Sequence, residues 1–348
     1  MEYPYYSRSR LLSALEDRGG AILKSKGQNF LIDPNAVRLI GESVLSLWRS
    51  AAGTSPILLS ESSEGSGTGI ALESNVRITE IGPGTGALSY YLLRNLQMAS
   101  MNGPFFCEWQ GIEIDPVMVS ILRETILPLF SDSKGTTVEN IEDGKNVTAA
   151  GKDGDPSGNQ REGSFCATLI EDDARSYLID HSARPGCFDI ICGNLPYYIS
   201  TELLLAAIRC RPDACAFLFQ KEYAGRVLSG GKSNSLSVFV RNGMLPTKGP
   251  TIGKNAFLPP PSVDSQVLLL SKIPLQCDPD RLERVLRCSF QGKRKTLQNS
   301  WRQFSASNGL ELEALTTAAR AVGLDLTRRA EDVLAEEFYN LVNRLESG

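Results

Sequence analysis

The chain has 348 residues, of which 42% are hydrophobic, and it carries a formal net charge of −4. This size provides enough apolar surface for one large domain and a smaller one. No run of about 18 apolar residues occurs and residues 1–6 lack an apolar signal core, which argues against a membrane-spanning helix and a secretion signal. The eight cysteines contain no Cys-x-x-Cys pair and His181 is the one histidine. We therefore expect reduced thiols, no metal site, no membrane partner and a cytoplasmic protein.

The first predicted strand runs into a glycine-rich turn at residues 82–86, after which the pattern becomes helical. Glycines at a strand-to-helix turn let the backbone approach a ligand, and the following helix directs its free N–H groups toward it. Gly82, Gly84 and Ala87 satisfy the loose Gly-x-Gly-x-x-Ala dinucleotide pattern. Such a match is weak by itself, because a tight turn without a ligand has the same composition.

Acidic residues accompany the next two predicted strands, at 111–115 and 167–170. An acid in the first of them can hold the two hydroxyls of a ribose, and a carboxylate in 171–173 can accept from an adenine amino group. A single acid at either place also fits a solvated strand end. Because they occur in order at the carboxyl ends of successive strands, together they predict a nucleoside site.

The fourth predicted strand, 188–193, is followed by Asn-Leu-Pro-Tyr at residues 194–197. The asparagine side-chain oxygen and a nearby carbonyl can each accept one N–H of an exocyclic amine, while the tyrosine offers a stacking face for a flipped base. A strand ending in a proline turn is the alternative. A nicotinamide enzyme needs only phosphate-binding glycines and a ribose acid, so an amine clamp here favours a methyl donor, S-adenosylmethionine, over a hydride donor.

Other elements follow from composition and periodicity. Residues 60–69 and 131–164 are poor in apolar residues and are predicted to be flexible insertions in loops. Helices are predicted at 116–130 and 201–208, and strands at 214–220 and 266–272. The pattern is helical from about residue 277 onward. We predict a domain at 1–275 and a helical domain at 276–348.

Three further segments resemble one known family, the ribosomal RNA adenine N6,N6-dimethyltransferases of the KsgA type. Residues 24–33 are similar to its amino-terminal segment, which covers the cofactor. Residues 255–265, with Phe-Leu-Pro-Pro-Pro-Ser-Val-Asp-Ser at 257–265, are similar to its Phe-x-Pro-Pro-Pro-x-Val-Asp-Ser signature. Residues 291–297 resemble its Arg/Lys-Lys-Thr-Leu element. A generic methyltransferase has no need of these segments, although a triple proline alone also fits a stiff loop.

The resemblance implies an α/β fold, namely a Rossmann-like class I methyltransferase sheet with a small C-terminal helical domain. It implies dimethylation of two adjacent adenosines near the 3′ end of small-subunit ribosomal RNA in a pre-ribosomal particle, by a monomer that uses S-adenosylmethionine. The implied catalytic residues, in which Tyr197 and Phe257 sandwich one adenine, are Asn194, Leu195, Pro196, Tyr197 and Phe257. The implied cofactor contacts are Asn29, Leu31, Gly82, Glu113, Asp173 and Asn194.

Two stretches are candidates for RNA contact despite the acidic total. Residues 280–302 hold seven Lys or Arg against two acids, a net of +5, and they include Lys293, Arg294 and Lys295. The first 26 residues hold five basic residues against three acidic ones. Local basic clusters of this kind bind phosphates, although a solvated helix face has the same composition.

The sequence departs from the family pattern at one position of the predicted pocket. Tyr198 stands where the family often has asparagine, which changes the rim of the predicted pocket. Two other functions remain open: a methyltransferase acting on large-subunit RNA or DNA adenine, and a non-catalytic assembly factor that binds ribosomal RNA. The signature at 257–265 favours the small-subunit enzyme over the first, and the intact clamp and glycine turn disfavour the second.

Overall fold

The computed structural model describes residues 3–22, 27–51, 76–102, 106–130, 136–142, 164–182, 187–229 and 233–346. The chain divides into two compact units, Met1–Lys221 with Gly249–Leu269, and Glu222–Lys248 with Leu270–Gly348. This division differs from the predicted boundary after residue 275, because residues 222–248 join the C-terminal unit.

Ten strands lie within the described ranges. They are β1 (Phe30–Leu31), β2 (Val76–Ile81), β3 (Phe106–Glu113), β4 (Thr136–Glu142), β5 (Ser164–Glu171), β6 (Ile190–Asn194), β7 (Ala214–Gln220), β8 (Met244–Ile252), β9 (Phe257–Leu258) and β10 (Ser265–Lys272). Eight form one sheet in the order β4-β5-β3-β2-β6-β7-β10-β8, and β1 pairs with β9 in a separate antiparallel ribbon.

The sheet reverses its winding at β2, which lies between β3 and β6 and runs parallel to both. In open parallel sheets, ligands bind beyond the carboxyl ends of the strands at such a reversal. The central strands β2, β6 and β7 are buried on nearly every residue, as β7 with Ala-Cys-Ala-Phe-Leu-Phe-Gln illustrates. Continuous apolar runs are typical of parallel strands covered on both faces. The strands predicted at 167–170, 188–193, 214–220 and 266–272 are confirmed as parts of β5, β6, β7 and β10.

Twelve α-helices surround and follow the strands in the described ranges. They are α1 (Arg8–Glu16), α2 (Pro34–Ala51), α3 (Ala87–Asn102), α4 (Pro116–Ile121), α5 (Ala174–His181), α6 (Ser200–Arg209), α7 (Lys221–Leu228), α8 (Ser235–Arg241), α9 (Pro279–Phe290), α10 (Leu297–Phe304), α11 (Leu312–Ala321) and α12 (Ala335–Glu346). The helix predicted at 116–130 begins as α4 and continues through a π-helical turn and a 3-10 turn to Phe130. None of the helices in the described ranges is long and apolar enough to cross a membrane.

The prediction of a loop over 131–164 is wrong for Thr136–Glu142, which forms β4. This strand pairs in parallel with β5 over seven consecutive positions, at the edge of the sheet. Low apolar content misled the prediction, because an edge strand gains its stability from backbone pairing with one neighbour and needs few buried side chains. The remaining residues of that segment, apart from Ser164, and the predicted insertion at 60–69 lie outside the described residues.

Residues 222–248 belong to the C-terminal unit because buried hydrogen bonds attach them to it. The Tyr339 hydroxyl on α12 donates to the Val238 carbonyl on α8 at 2.8 Å. The Asn242 side chain donates to the Cys277 carbonyl at 3.0 Å and its oxygen accepts from the Cys277 N–H at 3.0 Å. Polar groups bonded in a core make separation of the segments costly.

Candidate active site

A cavity of about 330 Å³ lies in the larger unit, at the carboxyl ends of β2, β3 and β6. Its walls come from the glycine turn at 82–85, from 112–115, from 172–174, from 194–196 with 198 and 199, and from the segment 27–31. The cavity therefore occupies the reversal point of the sheet. It gathers the glycines, the acids and the asparagine that the sequence places on successive strands.

The glycine turn takes a backbone conformation that side chains disfavour. Gly82 and Gly84 have φ values of 62° and 58°, in the left-handed region where glycine is preferred. The Gly84 N–H donates to Glu113 Oε2 at 2.9 Å, which links the turn after β2 to the end of β3. A Cβ placed on Gly82 meets no protein atom within 4 Å, so space is open beside this backbone. The turn thus exposes main chain to the cavity.

Glu113 is buried at the end of β3 and accepts three backbone N–H groups. Besides Gly84, the N–H groups of Ile114 and Asp115 donate to its Oε1 at 3.0 and 2.9 Å. Burial raises the pKa of Glu113, while these backbone hydrogen bonds lower it. A carboxylate held in this way keeps a fixed direction, as binding a diol requires.

Glu80, which the sequence analysis did not single out, also lines the cavity and is buried. Trp109 Nε1 donates to its Oε2 at 3.0 Å. Burial, with a smaller contribution from the charge of Glu113, raises the pKa of Glu80 to about 7. Two buried carboxyl groups on neighbouring strands thus make the cavity favourable for a cationic ligand.

Asp172 and Asp173 follow β5 and both line the cavity. Asp173 is the N-cap of α5, where its Oδ1 accepts the Arg175 N–H at 2.7 Å. Asp172 Oδ1 accepts the Asp173 N–H, and the Asp172 N–H donates to the Glu113 carbonyl at 3.1 Å. The two acids are therefore held by local backbone contacts, and each retains acceptor capacity for a ligand amino group.

Asn194 ends β6 with its side-chain amide in a fixed orientation. Its Nδ2 donates to the Asn29 carbonyl at 2.9 Å, and Asn29 Nδ2 in turn donates to the Gly27 carbonyl at 2.9 Å. Because the Asn29 carbonyl can only accept, the amide must present its NH₂ group there and direct Oδ1 elsewhere. Asn29, Leu31 and Asn194 all line the cavity.

The two rings of the predicted sandwich, Tyr197 and Phe257, do not line the cavity among the described residues. Phe257 is 2% exposed within the hydrophobic core, where β9 pairs with β1. Tyr197 is half-buried, and its hydroxyl lies 2.9 Å from Ser265 Oγ. Leu195 and Pro196 do line the cavity. The stacking of one adenine between the two rings stays a prediction.

Besides Glu80, sequence reasoning missed one residue that bonds to the cavity wall and one that lines the cavity. Tyr3 is buried, and its hydroxyl donates to the Thr85 carbonyl at 2.9 Å and lies 3.0 Å from Thr85 Oγ1. Ile114 lines the cavity with its side chain 64% exposed. A tyrosine near the start of the chain carries no local signal for a partner 82 residues later. An isoleucine next to an acidic residue indicates only a strand, so the sequence around Ile114 carries no signal of a place in the cavity.

The basic cluster Lys293, Arg294 and Lys295 is exposed in the loop between α9 and α10. The loop is fixed by Thr296, which forms an antiparallel bridge with Arg329, another exposed cation. Lys295 Nζ contacts Gln303 and lies 5.8 Å from the centre of the Phe304 ring. The loop thus presents its cations to solvent from a rigid base.

Some other basic residues of the two predicted stretches are paired or lie outside the described residues, whereas others are exposed. Arg287 pairs with Glu283 on the same helix, and Arg18 pairs with Glu124 at 2.8 Å. Lys24 and Lys26 lie outside the described residues. Arg8 and Arg10 are exposed on α1.

The strand order, the glycine turn and the acids at consecutive strand ends define a class I methyltransferase fold. Two solved structures share that fold over 91% of this chain. A dimethyladenosine transferase from Plasmodium falciparum matches with a TM-score of 0.58 and 19% identity over 98% of its length. The 23S rRNA methyltransferase ErmE matches with a TM-score of 0.51 and 17% identity over 100% of its length.

Sequence comparison identifies the family. The model of the family described as ribosomal RNA adenine dimethylase matches residues 164–347. The relatives include ribosomal RNA small subunit methyltransferase A of Lysinibacillus sphaericus, 27% identical over 97% of this chain and 95% of that protein. The protein of the same name from Listeria innocua is 29% identical over the same shares. The chain belongs to the ribosomal RNA adenine dimethylase family, and the resemblance found in its sequence is confirmed.

Proposed function

We propose that this protein uses S-adenosylmethionine to dimethylate N6 of two adjacent adenosines near the 3′ end of small-subunit ribosomal RNA. The observation that carries the proposal is the fixed orientation of the Asn194 amide in a cavity at the reversal point of the sheet. An oriented oxygen acceptor at the end of β6 suits an exocyclic amine. Family membership identifies that amine as an adenine N6 of ribosomal RNA.

The residues around the cavity fit the proposed cofactor. In this proposal Glu113 accepts from a ribose hydroxyl through the capacity that its Oε2 retains, and Asp173 accepts from the adenine amino group. Gly82 leaves backbone exposed beside open space, and Asn29 and Leu31 cover the cavity from the amino-terminal segment. When bound, S-adenosylmethionine supplies an electrophilic sulfonium methyl group. The buried carboxyl groups of the cavity favour its positive charge.

The reactive geometry depends on residues 194–196. Adenine N6 is a poor nucleophile, because its lone pair is delocalised into the ring. Accepting one N–H at Asn194 Oδ1 and the other at the Leu195 carbonyl pyramidalises the nitrogen and directs its lone pair. The Pro196 carbonyl already accepts from the Ile199 N–H and the Ser200 hydroxyl, so it is engaged in the turn. The proton becomes acidic only after methylation, so no histidine base is required.

Lys293, Arg294 and Lys295 contact phosphates of the RNA in this proposal, and Arg329 joins them across the Thr296 bridge. Binding through such a cluster is sensitive to salt, because each neutralised phosphate releases counterions. Action as a monomer on a pre-ribosomal particle in the cytoplasm is part of the same proposal. The absence of a membrane-spanning helix from the described residues is compatible with it.

The test is incubation of the protein with radiolabelled S-adenosylmethionine and unmethylated small subunits, followed by nucleoside analysis of the RNA. We expect label in N6,N6-dimethyladenosine at two adjacent positions. Label in large-subunit RNA or DNA adenine under the same conditions, with none in small subunits, would assign the fold to another substrate. Tight binding of small subunits without any label transfer would favour a non-catalytic assembly factor.

A further inference from the structure

Two exposed apolar side chains line the cavity, and they belong to different strand ends. Ile114 follows β3 and is 64% exposed, whereas Tyr198 follows β6 and is 66% exposed. Exposed apolar groups of this size beside a polar cavity mark contact surfaces for planar or apolar parts of a ligand. The two residues thus offer two separate surfaces for two separate ligand groups.

The order of strands in the sheet places these two surfaces beside different ligand groups. β3 and β6 flank β2 on opposite sides, so their ends are separated by two strand spacings, about 10 Å. Ile114 adjoins Glu113 and the acids after β5, which form the side proposed for the cofactor nucleoside. Tyr198 comes four residues after Asn194, on the side proposed for the substrate amine.

One region of the Tyr198 ring is supported by backbone while much of the ring remains open. Gly27 has a φ of 63°, and a Cβ placed there would lie 3.3 Å from Tyr198 Cδ1. The absence of a side chain at residue 27 lets the ring lie against the main chain of the covering segment. The phenol is therefore supported at the rim of the cavity.

We propose that Tyr198 is a stacking platform for the nucleobase adjacent to the target adenine in single-stranded RNA. This inference rests on the proposed function, since it assumes an RNA substrate whose reacting base enters the cavity. A neighbouring base that stays outside needs a π-surface at the rim, whereas Phe257 is buried and the half-buried Tyr197 does not line the cavity. Stacking on an aromatic ring tolerates any base, so this contact adds affinity without reading sequence.

The test compares Tyr198→Ala, Tyr198→Leu and Tyr198→Phe with the unmodified protein. Binding of unmethylated small subunits is measured by sedimentation, KM for subunits and kcat by methyl transfer, and S-adenosylmethionine Kd by calorimetry. We expect Tyr198→Ala and Tyr198→Leu to weaken subunit binding by about 5-fold to 100-fold. Tyr198→Phe should stay within about two-fold, because it keeps the ring. KM for subunits should rise in Tyr198→Ala and Tyr198→Leu by a larger factor than kcat falls, because the lost contact is one of substrate binding.

Ile179→Ala is the matched control, because Ile179 on α5 is 52% exposed and lies outside the cavity. It should change none of these quantities. The inference is overturned if Tyr198→Ala binds subunits as well as the unmodified protein does, or if Tyr198→Leu retains full affinity. A rise in cofactor Kd with unchanged subunit binding also overturns it, since Tyr198 would then close the cofactor side. Sedimentation does not require turnover, so an inactive protein refutes the proposed function and still tests the platform.

Discussion

The orientation of one amide at the centre of the site is determined by a backbone group 165 residues earlier in the chain. Asn194 alone is free to present either end of its amide to a ligand. The Asn29 carbonyl removes that freedom, because only the NH₂ end can donate to it. Preorganisation of this kind lowers a barrier because the acceptor does not need to reorient during the reaction.

Replacing Asn194 with alanine should reduce methyl transfer by on the order of 10²-fold or more, because one preorganised acceptor of the amine is lost. Affinity for S-adenosylmethionine should stay close to that of the unmodified protein. Steady-state kinetics on small subunits and calorimetry with the cofactor check the two statements. Asn95→Ala is the control, since Asn95 donates to the Tyr91 carbonyl at 2.8 Å on α3, outside the cavity. Full turnover in Asn194→Ala would refute the clamp.

Glu80→Gln should change how stability depends on pH. Burial raises the pKa of Glu80 from its ordinary 4.5 to about 7, so the folded protein keeps a proton that the unfolded chain has released between those values. Its stabilising contribution is complete below about pH 4.5 and is lost as pH rises through about 7. A glutamine at position 80 does not titrate, so the variant does not lose stability in this way. Its side-chain oxygen can still accept from Trp109 Nε1.

Urea unfolding at pH 5 and pH 8 measures this effect without cofactor. Between pH 5 and pH 8, the free energy of unfolding should fall by on the order of 3 kcal/mol more in the unmodified protein than in Glu80→Gln. The residual pH dependence of the variant reports the remaining groups, including Glu113, whose pKa is also raised by burial. An equal loss in both proteins would show that Glu80 does not titrate in this range.

At the scale of elements, the segment before α1 supports the cofactor turn through one hydroxyl group. Tyr3→Phe removes the hydrogen bonds to Thr85 and keeps the ring. A lost hydrogen bond of about 1 kcal/mol corresponds to about a five-fold rise in cofactor Kd, with kcat at saturating cofactor unchanged. Tyr5→Phe is the control, because the Tyr5 hydroxyl donates to Thr125 at 3.1 Å and Thr125 does not line the cavity. Equal rises in cofactor Kd in Tyr3→Phe and Tyr5→Phe would indicate that the whole amino-terminal segment is less ordered, and would not support a specific role of the Thr85 contact.

β4 contributes to stability but not to the cofactor site. Replacing residues 131–163 with a short Gly/Ser bridge removes β4 and exposes the edge of β5, so we expect a lower Tm with unchanged cofactor Kd. Replacing only 143–163 with a Gly/Ser linker of about 15 residues keeps β4, because that linker can span the roughly 23 Å of a seven-residue parallel strand. This second variant should retain the Tm. Equal Tm values in all three proteins would show that β4 adds no stability.

At the scale of the whole molecule, a net charge of −4 coexists with a local cluster of cations at 293–295. Changing Lys293, Arg294 and Lys295 to alanine should weaken binding to small subunits and flatten its salt dependence. The slope of the log binding constant against the log salt concentration should become shallower by roughly one unit for each lost phosphate contact. Cofactor Kd should not change, because the cavity is lined by the other unit.

The comparison variant for this cluster is Arg8→Ala with Arg10→Ala, which tests the amino-terminal basic stretch. Both arginines are exposed on α1. If the slope stays constant in the first variant and falls in the second, the RNA contact belongs to α1. Adding Arg329→Ala to the triple change should flatten the slope further.

The sequence predicted those parts of the molecule whose information is local. The runs that became β6 and β7 are largely apolar, the glycine turn follows β2 directly, and Asn194 ends β6. Residues whose role depends on distant partners were missed, as Tyr3 was, and the burial of the Phe257 ring in the core was not foreseen. β4 escaped prediction because backbone pairing leaves little trace in composition.

The pairing of β1 with β9 brings Phe30 against Leu258, and it has a consequence for the order of events during synthesis. The segment that covers the cavity leaves the ribosome early, yet its strand partner follows after most of the sheet has been made. Closing so long a loop costs entropy that only the completed core can repay. The nascent chain must therefore hold Phe30 and Leu31 without their strand partner until β9 emerges. The methyl-donor site becomes complete only after the residues up to Leu258 have left the exit tunnel.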